Sequence, residues 1–400
     1  MKKIMHKIST LMESDYYSAI VLKSIGALTT LIYVVIFSRY VGPTIKGEID
    51  VVLNYAGIFS IVFGFGIHES YPGLKKSGNS IDKRYFKCIN TLFCVYVLVS
   101  MLGFIVSRSF SIFTICIITT LQIYGAYTSI VFTVIQPKKY LFFSIICDIC
   151  MIIIIGVVYL SFNSSFIVAG WLMFAKETVH LLFIFFGLGY VPLKHGLSFT
   201  GLWTLIKSSL VSMVALLLMT LNYKIDVLML EGNVSYADIG IYTLGVSLVS
   251  KLWLVPDAIK QMLTSKLTKG FGKEEVNKAL KTSLMWCGAL AIIIVVLGKP
   301  VINLLFGQPY SEAYTVMLYM LVGILGMVFY KIIYAYNVVL GKRIINMMIL
   351  FVASITNILF NYYLIPLYGI NGAAFSSVVS YLICGFMFFV IFKFETRQIQ

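Results

Sequence analysis

The sequence predicts an all-α integral membrane protein of about twelve transmembrane helices arranged as two six-helix lobes. Three observations predict it. The 400 residues are 60% hydrophobic and only 12% charged, with mean hydropathy +0.95, whereas a soluble domain carries about 25% charged residues. The apolar runs, such as MIIIIGVVYL and ALAIIIVVLG, are continuous and about 20 residues long, which is the length of a helix across the bilayer and not of an alternating barrel strand. The lysines and arginines are distributed asymmetrically between alternate connections, as the positive-inside rule requires.

In chain order the predicted spans are 18–38, 49–71, 86–107, 109–135, 140–161, 165–187, 204–230, 236–256, 282–306, 311–340, 344–366 and 372–393. The third and fourth are separated only by Ser107-Arg108-Ser109. With the N-terminus inside, 22 of the 31 lysines and arginines fall on the cytoplasmic side and 4 on the outer side. The remaining five, Lys23, Lys176, Lys224, Lys251 and Lys331, lie inside spans. Both termini are therefore expected in the cytoplasm. The polar start, MKKIMHKISTLMESDYYS, has no small-residue cleavage site and is expected to be a cytoplasmic lead-in. The long inner connection at 188–203 divides the chain into expected lobes 1–195 and 196–400. A glycine, a short polar stretch and a second glycine recur after the first span (RYVGPTIKGEIDVV) and after the seventh (LEGNVSYADIGIYTLG). Such a recurrence fits duplicated bundles, as in many transporters.

Several functions lose support at this point. The net charge of +15 sets topology; no soluble domain carries a basic stripe interleaved with stacking aromatics, so nucleic acid is not an expected partner. Cys147 and Cys150 form a CxxC in mid-span, SIICDICMIIII, where small apolar packing is the expected role, with no metal site. Gly64-Phe65-Gly66 lies inside a span without the strand–helix context of a dinucleotide site, and is expected to permit close packing or bending. Tyr124, Tyr127, Tyr330 and Tyr334 lie deep and are expected to fill gaps between helices. No phosphate-binding GxxxxGK[ST] loop occurs, and no catalytic residues are expected.

Four stretches resemble a known family. SRYVGPTIKGEID, with Arg39, Gly42, Pro43 and Gly47, resembles the first outer loop of bacterial polysaccharide exporters, and IDVLMLEGNVSYADIGIYTLG resembles the start of their second half. NLLFGQPYSEAY and PLYGINGAAFSSVVSY resemble the ends of their ninth and eleventh spans. The chain is most similar in pattern to the O-antigen (Wzx-type) flippases of the multidrug/oligosaccharidyl-lipid/polysaccharide exporter superfamily, which also holds peptidoglycan lipid flippases and MATE drug exporters. The resemblance implies a bacterial inner-membrane flippase with no cofactor, and not an enzyme. Its substrate would be an oligosaccharide repeat unit on undecaprenyl pyrophosphate, destined for lipopolysaccharide, moved from the cytoplasmic to the periplasmic leaflet by alternating access. Membrane lipids and other polysaccharide assembly proteins are the implied partners. A MATE-like ion-coupled drug antiporter is the alternative, and an O-antigen polymerase ranks third because the outer loops are short.

A charge at mid-helix costs about 2.5–3.5 kcal/mol on insertion scales, so intramembrane ionisable residues are candidates for function. The resemblance implies that spans one, two, seven and eight line a central cavity. Lys23, Lys224 and Lys251 would make it cationic, which suits a pyrophosphate headgroup, since lysine acts as a point charge toward phosphate oxygens. Lys224 lies nearly two turns from the outer end of its span, where snorkelling outward competes with lining a cavity. Asp226, two residues on, is expected to be interfacial, and Lys331 is expected to snorkel inward. Span six carries Lys176, Glu177 and His180, and Asp148 on span five is expected to lie near them. This set is either a structural ion-pair network or a site of proton or sodium coupling.

Overall fold

Lipid offers the backbone no hydrogen-bond partners, so a chain this apolar must satisfy its own amides, and it does so as helix. The structure is a computed structural model that describes residues 15–77, 81–187, 189, 192–267 and 272–397. The N-terminal lead-in to residue 14 lies outside the described residues. Among them the helices are α1 (Asp15–Phe63), α2 (Ile67–Ser77), α3 (Ile81–Ser107), α4 (Phe110–Ile135), α5 (Pro137–Ser161), α6 (Phe166–Gly187), α7 (Leu202–Leu230), α8 (Tyr236–Ser250), α9 (Leu254–Leu267), α10 (Lys273–Leu305), α11 (Ala313–Val339) and α12 (Arg343–Arg397). One isolated bridge pairs Glu231 with Val234.

Among the described residues, ten stretches are long and apolar enough to cross a membrane. Two of them run for 43 and 52 residues, about twice the length that one crossing needs. Each is broken once, α1 at Gly42 and α12 at Gly369. The expected outer loops at 39–48 and 367–371 are therefore single-residue breaks. Gly42 has φ 71° and ψ 172°, and Gly369 has φ 55° and ψ −130°, both costly for a residue with a Cβ. Pro43 then opens the resumed helix, where its missing N–H would have been unpaired anyway. The second predicted span, 49–71, is not continuous either. It bends at Phe65 (φ 48°) and Gly66 (φ 60°), and side chains donate to carbonyls at the bend: Tyr127 to Gly64 O (2.9 Å), which also accepts from Ile67 N (3.1 Å), and Ser209 to Phe65 O (2.7 Å). The eighth span is interrupted by a 3₁₀ turn at Lys251–Trp253.

The chain separates into two compact units, residues 1–41 with 55–213, and 42–54 with 214–400. Unit 1 is centred on an aromatic core. Tyr71, Tyr85, Tyr124 and Tyr127 are fully buried among Ile67, Ile89 and Leu121. Their hydroxyls are satisfied inside the bundle, Tyr85 by Tyr127 O (3.1 Å) and Tyr124 by Asn90 Oδ1 (2.8 Å).

Unit 2 is held by close helix approach. Lipid tails are as apolar as leucine, so helices in a bilayer associate through packing and polar contacts. A Cβ on Gly326 of α11 would lie 2.0 Å from Tyr381 O of α12, and one on Gly385 would lie 2.4 Å from Gly326 Cα. The same device joins 42–54 to α8, where a Cβ on Gly47 would lie 1.8 Å from Tyr236 O and one on Gly240 would lie 2.1 Å from Pro43 O. The α8 start is fixed by a reciprocal cap between Ser235 and Asp238, which closes two unpaired helix-end donors.

Candidate functional site

In unit 1 the sequence-predicted polar residues of α5 and α6 come together around α1. Asp148 accepts hydrogen bonds from Thr30 (2.8 Å) and Thr29 (3.2 Å). One turn further along α1, the Tyr33 ring lies under Lys176 Nζ, 4.5 Å from its centroid, a cation–π contact that strengthens when desolvated. Glu177 interacts with Lys176 and with the Gln122 side chain. His180 Nε2 lies 3.5 Å from the Tyr140 hydroxyl, and the charges of Lys176 and Asp148 both act on it. Asp148, Lys176, Glu177 and His180 thus form one polar group. Thr29, Thr30 and Tyr33 complete it, which sequence reasoning missed because hydroxyls on an apolar helix carry no hydropathy signal.

The predicted cationic residues are placed differently. Lys23 is exposed on α1 in unit 1, and Lys251 is exposed at the 3₁₀ turn in unit 2. Lys224 is half-buried on α7. The acidic residue whose charge acts on it is Asp50, and that carboxylate is already held by Lys46 and by the Thr243 hydroxyl. Thr243 also accepts from Lys46 Nζ (3.1 Å). Among the described residues Lys224 makes no salt bridge. Lys331, expected to reach inward, donates through its Nζ to both Asp257 oxygens (2.9 and 2.8 Å) and lies 5.3 Å from the centre of the Trp253 ring.

Asp226 is not interfacial. It is 1% exposed, and its carboxylate accepts from the Tyr242 hydroxyl, from Ser377 Oγ (3.1 Å) and from its neighbour Val227 N (2.8 Å). The polar chain continues within α12. Asn357 Nδ2 donates to Ser377 Oγ (3.4 Å), and Asn361 Nδ2 donates to Asn357 Oδ1 (2.8 Å). One turn back along α7, Asn222 Oδ1 accepts from Ser380 Oγ (2.5 Å). Asn361 Oδ1 is buried with no partner. Asn361 also lines an open recess of about 460 Å³ together with Met229, Asn233, Tyr362 and Pro366. The sequence did hold a signal for this cluster. Asn222 with Asp226, Asn357 with Asn361, and Ser377 with Ser380 are spaced i,i+4 or i,i+3 inside apolar spans, so each pair shares a helix face. Among the described residues no three His, Cys, Asp or Glu side chains are grouped as ligands for a metal ion. The Asp226 set instead combines one carboxylate with neutral hydroxyl and amide oxygens, a hard donor set.

No family model matches this sequence, and no curated protein sequence does either. Solved structures do match. The lipid II flippase MurJ in an inward closed conformation superposes with a TM-score of 0.76 at 14% identity, covering 94% of this chain and 87% of that one. A multidrug resistance MATE family transporter of the MOP superfamily, in its inward-facing conformation, gives 0.67 at 13% identity over 94% and 98%. A point mutant of the Vibrio cholerae MATE transporter VcmN gives 0.61 at 13% identity over 97% and 98%. The chain is an all-helical membrane protein with the fold that these structures share.

Proposed function

We propose that the protein is a flippase that carries a lipid-linked oligosaccharide, anchored through a pyrophosphate, from the cytoplasmic to the outer leaflet of a bacterial inner membrane by alternating access. The observation that carries this reading is Lys224. A lysine half-buried in a spanning helix, whose acidic neighbour Asp50 is already committed to Lys46 and Thr243, holds charge that an anionic headgroup compensates. An organic cation would gain nothing there. The likeness in fold to the lipid II flippase supports a lipid-linked substrate, and the resemblance to Wzx-type sequences supports an O-antigen repeat unit. Lys251, in the same unit as Lys224, is a further cationic candidate in this reading, and Lys23 is a separate candidate in unit 1.

Transport is driven by an ion gradient in this reading. Two groups fit a proton or an alkali cation: Asp148 with Glu177 and His180 in unit 1, and Asp226 in unit 2. The second fits better, because Asp226 is linked through Ser377 and Asn357 to Asn361, a residue that also lines an open recess.

Deletion in the native strain tests the reading. Lipid-linked repeat units should accumulate on the cytoplasmic leaflet and return to export when the gene is restored. Unpolymerised units appearing outside would mark a polymerase. Normal polysaccharide with altered sensitivity to organic cations would mark a drug antiporter.

A further inference from the structure

The connection between α6 and α7 is mounted on the start of α3, and the contacts are specific. The Phe86 and His195 rings stack with centroids 4.6 Å apart. Ser198 N donates to Thr91 Oγ1 (2.8 Å), and Cys88 Sγ donates to Thr200 O (3.6 Å). Gly201 has φ 86°, which disfavours any side chain there, and it sits against the Arg84 side chain, whose Cδ would lie 2.7 Å from a Cβ at this position. All of these residues belong to unit 1, so the connection has a defined surface.

That surface is divided chemically in two. Leu197, Phe199 and Trp203 stand out at 57%, 61% and 75% exposure. Beside them Lys83, Arg84, Lys87, Lys194 and Lys207 are all exposed. The charges of Lys194 and Lys83 converge on His195: burial first, then these two lysines, hold it below the ordinary histidine range, opposed by Asp82. Asp82 is the one acidic residue within α3, and it is occupied by Lys75 and by the Tyr71 hydroxyl (3.0 Å). No acidic residue lies between 192 and 213. Five cations flanking three exposed apolar side chains match a bilayer interface, where an aromatic ring sits at headgroup depth and basic side chains reach phosphate.

We infer that residues 194–207, together with Lys83, Arg84 and Lys87, form a docking site for the phosphate headgroups of anionic phospholipids. Leu197, Phe199 and Trp203 enter the acyl boundary and seat the site in the leaflet. The basic residues then select anionic over zwitterionic lipid. The inference does not depend on what is transported.

Trp203 supplies the readout. A variant with Trp171, Trp253 and Trp286 replaced by phenylalanine keeps Trp203 as its sole tryptophan and is reconstituted into phosphatidylcholine vesicles. Dibrominated phosphatidylglycerol, at low mole fraction and low salt, should quench Trp203 more strongly than the same fraction of dibrominated phosphatidylcholine. Lys194→Gln should lower the preference by up to about fivefold, and replacing all five basic residues by glutamine should abolish it. The parent's preference should also shrink as salt rises, a measurement that needs no charge variant to fold. Equal quenching by the two lipids in the parent overturns the inference. Displacement of the brominated phosphatidylglycerol by stoichiometric undecaprenyl pyrophosphate also overturns it, because the occupant would then be a substrate headgroup.

Discussion

Tyr242 donates its hydroxyl to the Asp226 carboxylate in the interior of unit 2, and neither residue is accessible beyond 1%. A carboxylate buried in a spanning bundle is tolerated only when its lone pairs are met, and Ser377 and the Val227 amide meet the others. The geometry makes Asp226 a structural node, and in the proposed reading it is also the group that exchanges its partners for an ion.

Two substitutions separate those roles. Asp226→Ala leaves the Tyr242 and Ser377 hydroxyls without an acceptor, at about 1–3 kcal/mol each, and should lower the thermal unfolding midpoint and the yield. Asp226→Asn keeps the volume and an acceptor oxygen, and should insert normally but lose the response of transport to imposed proton or sodium gradients. Proteoliposome transport by Asp226→Asn that still follows the gradient as in the parent would remove Asp226 from coupling.

Lys224 should report the sign of the headgroup it meets. Lys224→Arg should retain appreciable export, Lys224→Ala should lose much of it, and Lys224→Glu should lose more, because like charges repel strongly at low dielectric. One charge-assisted hydrogen bond is worth about 1.5–3 kcal/mol, or roughly ten- to a hundred-fold in substrate affinity. Surface polysaccharide is measured beside membrane abundance. Lys224→Glu that inserts normally and exports like the parent would leave Lys224 an interfacial lysine.

The α1–α5–α6 group should behave as a structural network first. Asp148→Ala removes one of the two acceptors within reach of Thr29 and Thr30, leaving Gly26 O (3.0 and 2.8 Å), and should cost about 1 kcal/mol, read as a lower melting temperature in detergent. Glu177→Gln should reduce yield with transport per molecule intact. Loss of transport per molecule at unchanged yield would transfer the coupling role to this group.

The contact between 42–54 and α8 has no slack. Gly240→Ala places a methyl 2.1 Å from Pro43 O, so the backbone must move, and overpacking of this kind costs about 1–3 kcal/mol. Protein abundance and thermal stability should both fall. A Gly240→Ala variant as stable as the parent would show that this approach is loose.

Cysteine labelling tests the orientation. Gly272 and Lys342 should react only from the cytoplasm, and Asn163 and Asn233 only from the periplasm. Periplasmic labelling at Gly272 would reverse the orientation of the second half.

Hydropathy and the lysine bias made the helical membrane fold legible, because both depend on one residue at a time. The Arg108 break and the bend at Gly64–Gly66 were legible too, the first from its short polar hinge and the second from its paired glycines. Gly42 and Gly369 were read as marking loops because composition does not distinguish a loop from a one-residue break in continuous helix. Asp226 was misread for a different reason. Its burial depends on Tyr242 and Ser377, 16 and 151 residues away in sequence, and hydropathy contains no term for a distant partner. The Lys331 pairing was invisible for the same reason, because its partner Asp257 lies 74 residues away.

The allocation of residues 42–54 to unit 2, with their flanks in unit 1, bears on how the protein is made. A ribosome completes those thirteen residues long before α8 exists. Until Tyr236 and Gly240 emerge, Gly47 has no surface to rest on, and the Lys46–Asp50 pair lacks Thr243. The first half therefore waits in the membrane with an unfinished edge, and the second half, synthesised alone, would lack a piece of its own interior. Fragments split in the 188–203 connection should assemble only when they are produced together.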